Sequence, residues 1–215
     1  RFLSDASHEL KTPLTVILSS ADLLAESAPA EEQTYVENIR AESRRMKKLV
    51  EEMLTLFRAE SVRRETADAA ADLSDIAADA ALRFEPVVFE SGRRLLYTID
   101  EGLQVSGDRD ALERLTGILL DNAVKYALPE TPIRFVLEKG KRGVVQRCSN
   151  ACTPLAEGET EKLFDRFYRS DQARSADGGF GVGLSIARSI AEGHHGFIRA
   201  KCPQPGEIVF MAQLR

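Results

Sequence analysis

His8 sits in the run Phe2-Leu3-Ser4-Asp5-Ala6-Ser7-His8-Glu9-Leu10-Lys11-Thr12-Pro13-Leu14, beside a carboxylate, one helical turn before the Thr12 hydroxyl and just ahead of Pro13. Leu3, Leu10, Leu14, Ile17 and Leu24 recur as one helical face, read here as a core face. His8 stands about 200° round the helix from Leu10, so the periodicity that buries the leucines turns the imidazole to solvent. Pro13 cannot donate to the Glu9 carbonyl and its ring crowds that group, which predicts a local bend beside His8. An exposed imidazole with Glu9 and Thr12 at hand is suited to accept a phosphoryl group. Spacing alone favours an ordinary solvated helix face.

Three further groups have the residue types for phosphate chemistry. In Gly178-Gly179-Phe180-Gly181-Val182-Gly183-Leu184-Ser185, glycines at alternate positions lead into a helix. Such a backbone can approach a ligand closely, and the helix start offers free N–H groups to an anion. The run lacks the Gly-Lys-Ser/Thr of a Walker A loop, and no strand precedes it as in a dinucleotide-binding fingerprint; a flexible hinge is the bland alternative. In Leu119-Leu120-Asp121-Asn122-Ala123-Val124-Lys125-Tyr126, Asn122 and Lys125 lie three apart on one helix face. An amide oxygen beside an ammonium can hold a Mg²⁺–phosphate assembly, although a polar pair on an apolar helix also suits a merely wet side. In Leu163-Phe164-Asp165-Arg166-Phe167-Tyr168-Arg169, Phe164 and Phe167 read as a small satellite core. Arg166 and Arg169 are candidates for phosphate or interdomain contact.

The elements that must position these groups follow from periodicity. A first helix runs to about Glu26, and Ser27-Ala28-Pro29 breaks it. A second helix from about Glu31 to Ser61 is marked by Ile39, Met46, Val50, Met53 and Phe57. So short a connection makes the pair antiparallel, and a lone hairpin buries its seam poorly, which predicts a homodimeric four-helix bundle through residues 1–62. Charge-dense Ser61 to Thr66 reads as a linker to a second domain, residues 63–215. There, Leu73 to about Ser91 is a helix, Arg94 to Asp100 a strand with Leu103 to Val105 as its hairpin partner, and Asp108 to Ala127 a helix. Ile133 to Glu138 and Gly143 to Cys148 form a strand pair, and residues 151–178 a lid with a short helical piece around Glu159 to Tyr168. Gly181 to Ala191 is a helix, and Phe197 to Cys202 with Glu207 to Leu214 closes the chain as strands. The fold class is therefore multidomain: an all-α helical hairpin followed by an α+β two-layer sandwich.

Composition sets bounds on this reading. The chain has 215 residues and a net charge of −5, which argues against a dedicated nucleic-acid binder. No stretch approaches the roughly 18 to 20 apolar residues that cross a bilayer, so no membrane contact is expected of this segment. Cys148, Cys152 and Cys202 are odd in number and form no CxxC pair, indicating neither a disulfide framework nor a zinc site and fitting a reducing cytoplasm. His194 and His195, near a helix end, read as capping rather than metal binding. The chain opens within a helical pattern with no cap before Phe2, and is read as a piece of something longer.

His8-Glu9-Leu10-Lys11-Thr12-Pro13-Leu14 resembles the H-box of sensor histidine kinases of two-component systems. The Asn122, Phe164 and Gly179 motifs resemble, in order, the N-box, F-box and G2-box of their catalytic domain, whose ATP-binding fold is shared with gyrase, Hsp90 and MutL. The resemblance spans essentially the whole chain and implies a dimerisation and phosphotransfer hairpin followed by an ATP-binding domain with a lid. It implies that His8 takes the γ-phosphoryl group through Nε2 while Glu9 draws the Nδ1 proton, and that Thr12 positions water for dephosphorylation of a partner. It assigns Asn122 to Mg²⁺, Lys125 and Tyr126 to the nucleotide, and Gly179, Gly181, Gly183 and Leu184 to the phosphates. The implied partner is the receiver domain of a response regulator, and the implied setting is the cytoplasmic segment of a membrane-bound sensor.

Departures from the family pattern cluster at the G1 box, where this chain reads Ser149-Asn150-Ala151-Cys152-Thr153-Pro154-Leu155. Asn150 stands where an adenine-reading Asp is expected, and Cys152 and Pro154 replace two glycines. Ile118 and Arg114 stand where Asn and Gln are common. An amide can still accept from the adenine amine, but more weakly than a carboxylate, which predicts reduced or altered nucleotide affinity. The leading expectation is an ATP-dependent protein-histidine kinase core; the alternative is a kinase-impaired, phosphatase-biased scaffold of the same family. A plain ATPase leaves the His8 hairpin unexplained.

Overall fold

A computed structural model describes residues 2–27, 29–62, 70–156, 158–170 and 180–215; the side chains of residues 2–13, 27, 30, 31 and 56–62 fall outside that description. The readings that rest on the side chains of His8, Glu9, Thr12 and Pro13, on the linker at 63–66, and on Gly178 and Gly179 lie outside the described residues. Backbone contacts divide the chain into two units, Arg1–Arg58 and Ala59–Arg215.

The first unit is a helical hairpin of α1 (Phe2–Ser27) and α2 (Ala30–Val62), joined through Pro29. The Glu32 and Gln33 N–H groups donate to the Pro29 carbonyl, which starts the second helix. Leu14 and Ala21 on α1, and Val36 and Ser43 on α2, are buried at heptad spacing. Small Ala21 and Ser43 let the helices approach closely. Across the same seam the Arg40 guanidinium lies 2.7 Å from the Asp22 carboxylate; with both side chains partly exposed, such a pair contributes about 1 kcal/mol or less. The sequence placed Leu14, Ile17 and Leu24 on one core face, but in the single chain only Leu14 of these is buried. Ile17 is 46% and Leu24 54% exposed, with Ile39 at 46% and Met46 at 53% on α2. These four lie three residues on from the buried set, about 60° short of a full turn and so on a neighbouring face of each helix.

The second unit contains β1 (Ala70–Asp72), α3 (Leu73–Glu90), β2 (Arg94–Ile99), β3 (Gln104–Ser106), α4 (Arg109–Tyr126), β4 (Pro132–Gly140), β5 (Gly143–Ala151), a four-residue helix α5 (Glu159–Lys162), α6 (Gly183–Gly193), β6 (Phe197–Lys201) and β7 (Glu207–Leu214). Its main sheet has the order β2-β4-β5-β7-β6, with β2 parallel to β4 and the other pairs antiparallel. Strand alternation buries Ile133, Phe135 and Leu137 of β4 and Ile208, Phe210, Ala212 and Leu214 of β7. Against that face pack Ile76, Ala77 and Ala80 of α3, Leu112, Leu115 and Leu119 of α4, and Ile186, Ala187 and Ile190 of α6. Each buried leucine or isoleucine contributes roughly 1.5–3 kcal/mol. The arrangement is the expected two-layer α+β sandwich.

One strand pairing differs from expectation. The sequence pattern pairs residues 103–105 with the strand from Arg94 as a hairpin, but β3 pairs antiparallel with β1, and β2 pairs with β4. Local bonds explain the change of course. The Asp100 N–H donates to the Leu137 carbonyl and holds the end of β2 to β4. The Ser74 hydroxyl donates to the Asp100 carbonyl (2.7 Å) and accepts from the Leu103 N–H (2.9 Å), tying the turn to the start of α3. Leu103 in turn accepts from the Leu73 N–H, so the next residues run along 70–72. The short helix in the lid also stops early, at Lys162, and Phe167 adopts φ +63°.

Candidate functional site

α4 is the central wall of the site. The Asp108 carboxylate caps its start by accepting from the Asp110 and Ala111 N–H groups. At its far end the Arg93 guanidinium donates to the carbonyls of Ala127 (2.5 Å) and Leu128 (3.1 Å). Thr116, fully buried, accepts from the Gln146 amide at 2.9 Å and so ties the helix to β5. With its apolar face packed inward, α4 leaves Asn122 and Tyr126 half-buried and Lys125 exposed. The Lys125 ammonium is 2.5 Å from the Asp121 carboxylate, so it is held by a neighbouring charge on its own helix.

Asn150, at the end of β5, meets the exit of α4. The Ala151 carbonyl accepts both from the Leu128 N–H and from the Asn150 side-chain amide, each at 2.9 Å. Asn150 is 3% exposed, and its amide oxygen is buried with no hydrogen-bond partner among the described residues. A buried, unpaired acceptor costs roughly 1–3 kcal/mol unless a ligand supplies a donor. Two residues on, Cys152 is also buried, and its N–H donates to the Gly206 carbonyl at 2.8 Å, fixing one root of the lid to the β6–β7 connection. Nearby Cys148 is fully enclosed, and burial pushes its thiol up to about 12.

The lid and the glycine run are joined to each other. Phe164 is buried and packs edge-on against Phe210 of β7, with ring centroids 6.3 Å apart. The Tyr168 hydroxyl donates to Glu159 at 3.1 Å, and the same carboxylate accepts from the Ala156 N–H. Phe167 donates its N–H to the Gly181 carbonyl at 3.0 Å. Gly181 has φ +71°, and a Cβ there would lie 2.5 Å from the Tyr168 carbonyl oxygen, so only glycine fits. Two residues on, Gly183 opens α6, and the space a Cβ would occupy lies 3.7 Å from the Ile118 side chain of α4. Among the described residues no side chain caps this helix start, whereas α3 and α4 are capped by Asp72 and Asp108. Its first N–H groups are therefore not taken up by a side-chain cap, the arrangement that suits an anion.

The structure thus brings Asn122 and Tyr126, Asn150, and Gly181, Gly183 and Leu184 onto elements that touch one another. Lys125 is turned to Asp121, Arg166 is exposed and Arg169 half-buried. His8, Glu9 and Thr12 lie on α1 in the other unit. Sequence reasoning missed Thr116 and Gln146, whose one signal is a glutamine in an otherwise apolar alternation along β5, and Arg93, which carries no signal in its own neighbourhood.

Residues 1–62 match the His Kinase A (phospho-acceptor) domain, and residues 107–215 match the histidine kinase-, DNA gyrase B- and HSP90-like ATPase family. The sensor protein DltS of Streptococcus agalactiae is 32% identical over 200 residues, covering 93% of this chain and 50% of that protein. The sensor histidine kinase YkoH of Bacillus subtilis is 35% identical over 215 residues, covering 96% of this chain and 45% of that protein. The chain therefore spans about half the length of these curated relatives. Among solved structures, full-length ShkA in complex with AMPPNP superposes with a TM-score of 0.80 at 22% identity, over 99% of this chain and 45% of that one. The histidine kinase AdeS of Acinetobacter baumannii superposes with a TM-score of 0.62 at 20% identity, over 96% of both chains. With a phospho-acceptor segment ahead of an ATPase domain, and motif-bearing elements that meet at one site, the chain belongs to the sensor histidine kinases of two-component systems.

Proposed function

We propose that this chain is the kinase core of a two-component sensor, which phosphorylates its own His8 from Mg-ATP and passes the phosphoryl group to an aspartate of a response regulator. The observation that carries the reading is the convergence of three motifs: the lid donates to Gly181, Gly183 abuts Ile118 of α4, and α4 exits against Asn150. Residues 1–62 act as the dimerisation and phosphotransfer domain and residues 63–215 as the catalytic domain.

In the catalytic domain the open start of α6 takes the phosphates, with Gly181, Gly183 and Leu184 beside them and Gly179 just before. The orphaned Asn150 oxygen accepts from the adenine amine, a fit between a buried acceptor and a donor on the ligand. The Asn122 amide oxygen would hold Mg²⁺ beside the phosphates, where the ion would supply charge neutralisation. Tyr126 borders the same wall, while Arg166 and Arg169 on the lid and Lys125 on α4 act on the nucleotide only once it draws them in.

At the phospho-acceptor, the His8 Nε2 lone pair forms the bond to the γ-phosphorus as the bond to the ADP oxygen breaks. Glu9 takes the Nδ1 proton, leaving a neutral phosphoimidazole. Thr12, one helical turn after His8 in the sequence, orients water for hydrolysis of the regulator's acyl phosphate. The exposed stripes Ile17/Leu24 and Ile39/Met46 supply the self-complementary apolar face that a homodimeric four-helix bundle requires. Among the described residues no helix is long and apolar enough to cross a membrane, and the assignment to the cytoplasmic part of a membrane-bound sensor rests on the relatives.

Calorimetric titration with Mg-ATP tests the catalytic half directly. Saturable binding is expected for the wild type, and Asn122→Ala should lose the Mg²⁺-dependent part of the affinity while retaining the fold. A wild-type chain that does not bind Mg-ATP would exclude the proposal.

A further inference from the structure

His194 is the one histidine in the described catalytic unit that is fully enclosed, at 1% exposure, and phosphotransfer as proposed above makes no use of it. It caps the C-terminus of α6, and both ring nitrogens are engaged. Nδ1 lies 2.8 Å from the Ile190 carbonyl oxygen. A carbonyl only accepts, so Nδ1 carries the hydrogen and Nε2 keeps its lone pair. That lone pair accepts the backbone N–H of Asp108 at 3.1 Å. The ring is therefore held as the neutral Nδ1–H tautomer, with one bond to each of two helices.

The fit is close on the other side as well. A Cβ on Gly107 would lie 2.0 Å from His194 Cδ2 and 2.2 Å from Nε2, so the imidazole occupies the space a side chain would need. Asp108, whose N–H the ring holds, is the capping residue of α4. α4 and α6 run antiparallel and meet at two separated points. At one, Asp108 is bonded to His194; at the other, Gly183 abuts Ile118. Those points are ten residues apart on α4, roughly 15 Å of helix. Beyond the second point lie Asn122 and the glycine run, the two walls of the nucleotide site.

We propose that His194 is a positioning residue for nucleotide binding: by pinning the start of α4 to the end of α6, it fixes the register of the two helices and hence the spacing between Asn122 and the Gly181–Gly183 backbone. The inference rests on the ATP-binding reading of that site. It assigns His194 an effect on nucleotide affinity and none on the phosphoryl-transfer step, because the ring's two bonds go to Ile190 and Asp108, away from Asn122 and the Gly181–Gly183 backbone. Losing the acceptor frees the Asp108 N–H and lets α6 slide against α4, so the walls no longer match the phosphates.

The test is the ATP dependence of His8 phosphorylation in four proteins: wild type, His194→Leu, His194→Gln and Gly107→Ala. Leu keeps the bulk of the ring without the acceptor, Gln supplies a side-chain oxygen to the Asp108 N–H, and the Gly107 methyl displaces the intact imidazole. His194→Leu and Gly107→Ala should raise the KM for ATP about tenfold, with kcat at saturating ATP within twofold of wild type. His194→Gln should recover most of the affinity. Circular dichroism identifies folded variants, and if His194→Leu does not fold, the comparison of Gly107→Ala with His194→Gln carries the same decision. A wild-type KM in a folded His194→Leu or Gly107→Ala protein, or a His194→Gln protein as weak as the Leu variant, overturns the positioning role. Absence of ATP binding by the wild type would instead refute the kinase reading on which the proposal rests.

Discussion

At the scale of single residues, Asn150 and Cys148 set opposite demands on β5. Asn150 presents a neutral, unpaired oxygen where a carboxylate would make a stronger contact to an amine. Asn150→Asp should tighten Mg-ATP binding roughly three- to tenfold by calorimetry, the difference between a neutral and a charge-assisted bond. The same change removes the donor to the Ala151 carbonyl and buries a charge, so thermal stability should fall by about 1–3 kcal/mol. Cys148 couples stability to alkaline pH. Burial raises its folded thiol from 9.0 to about 12, so the folded state holds a proton that the unfolded state releases. Its contribution is fully present below pH 9 and is lost as pH rises towards 12, with a slope of up to about 1.4 kcal/mol per pH unit. Denaturant titrations between pH 8 and 10.5 should show this decline, and Cys148→Val should flatten it.

At the scale of elements, the hairpin and the sheet differ in how much of them is local. The periodicity of α1 and α2 was legible because each turn of helix repeats its own pattern, yet the sequence merged two stripes into one. Leu14, Ala21, Val36 and Ser43 close the hairpin, and Ile17, Leu24, Ile39 and Met46 stay exposed in the single chain. If they form the proposed dimer face, replacing Ile17 and Met46 together by Lys should give a folded monomer in sedimentation analysis where the wild type is a dimer; a wild-type monomer at micromolar concentration would remove this role from the stripe. In the second unit, α3, α4, α6 and the β4–β5 and β6–β7 pairs were readable from alternation and turn residues. The β1–β3 pair was not, because three residues at 70–72 carry no period of their own and find their partner more than thirty positions away. The bond from Asp108 to His194 spans 86 positions, and only the histidine's place at a helix end hinted at it.

At the scale of the whole molecule, the chain divides into a helical hairpin that carries His8 on α1 and a sandwich unit in which α4, α6 and the lid meet. The proposed function assigns the phosphoryl acceptor to the first and the nucleotide to the second. The motif order was legible in the sequence, since each motif is contiguous and sits at the start or end of a periodic element. Less legible was how the motifs are stitched together, because those bonds are backbone to backbone: Phe167 to Gly181 and Leu128 to Ala151. Side-chain type says little about such contacts, apart from the glycine that a backbone approach at Gly181 demands. The proposed activity depends on His8 being the phosphoryl acceptor. Incubation with γ-labelled ATP and Mg²⁺, followed by acid and base treatment, tests it most directly. An acid-labile, base-stable adduct is expected on the wild type and should disappear in His8→Gln; label that survives His8→Gln would exclude His8 as the acceptor.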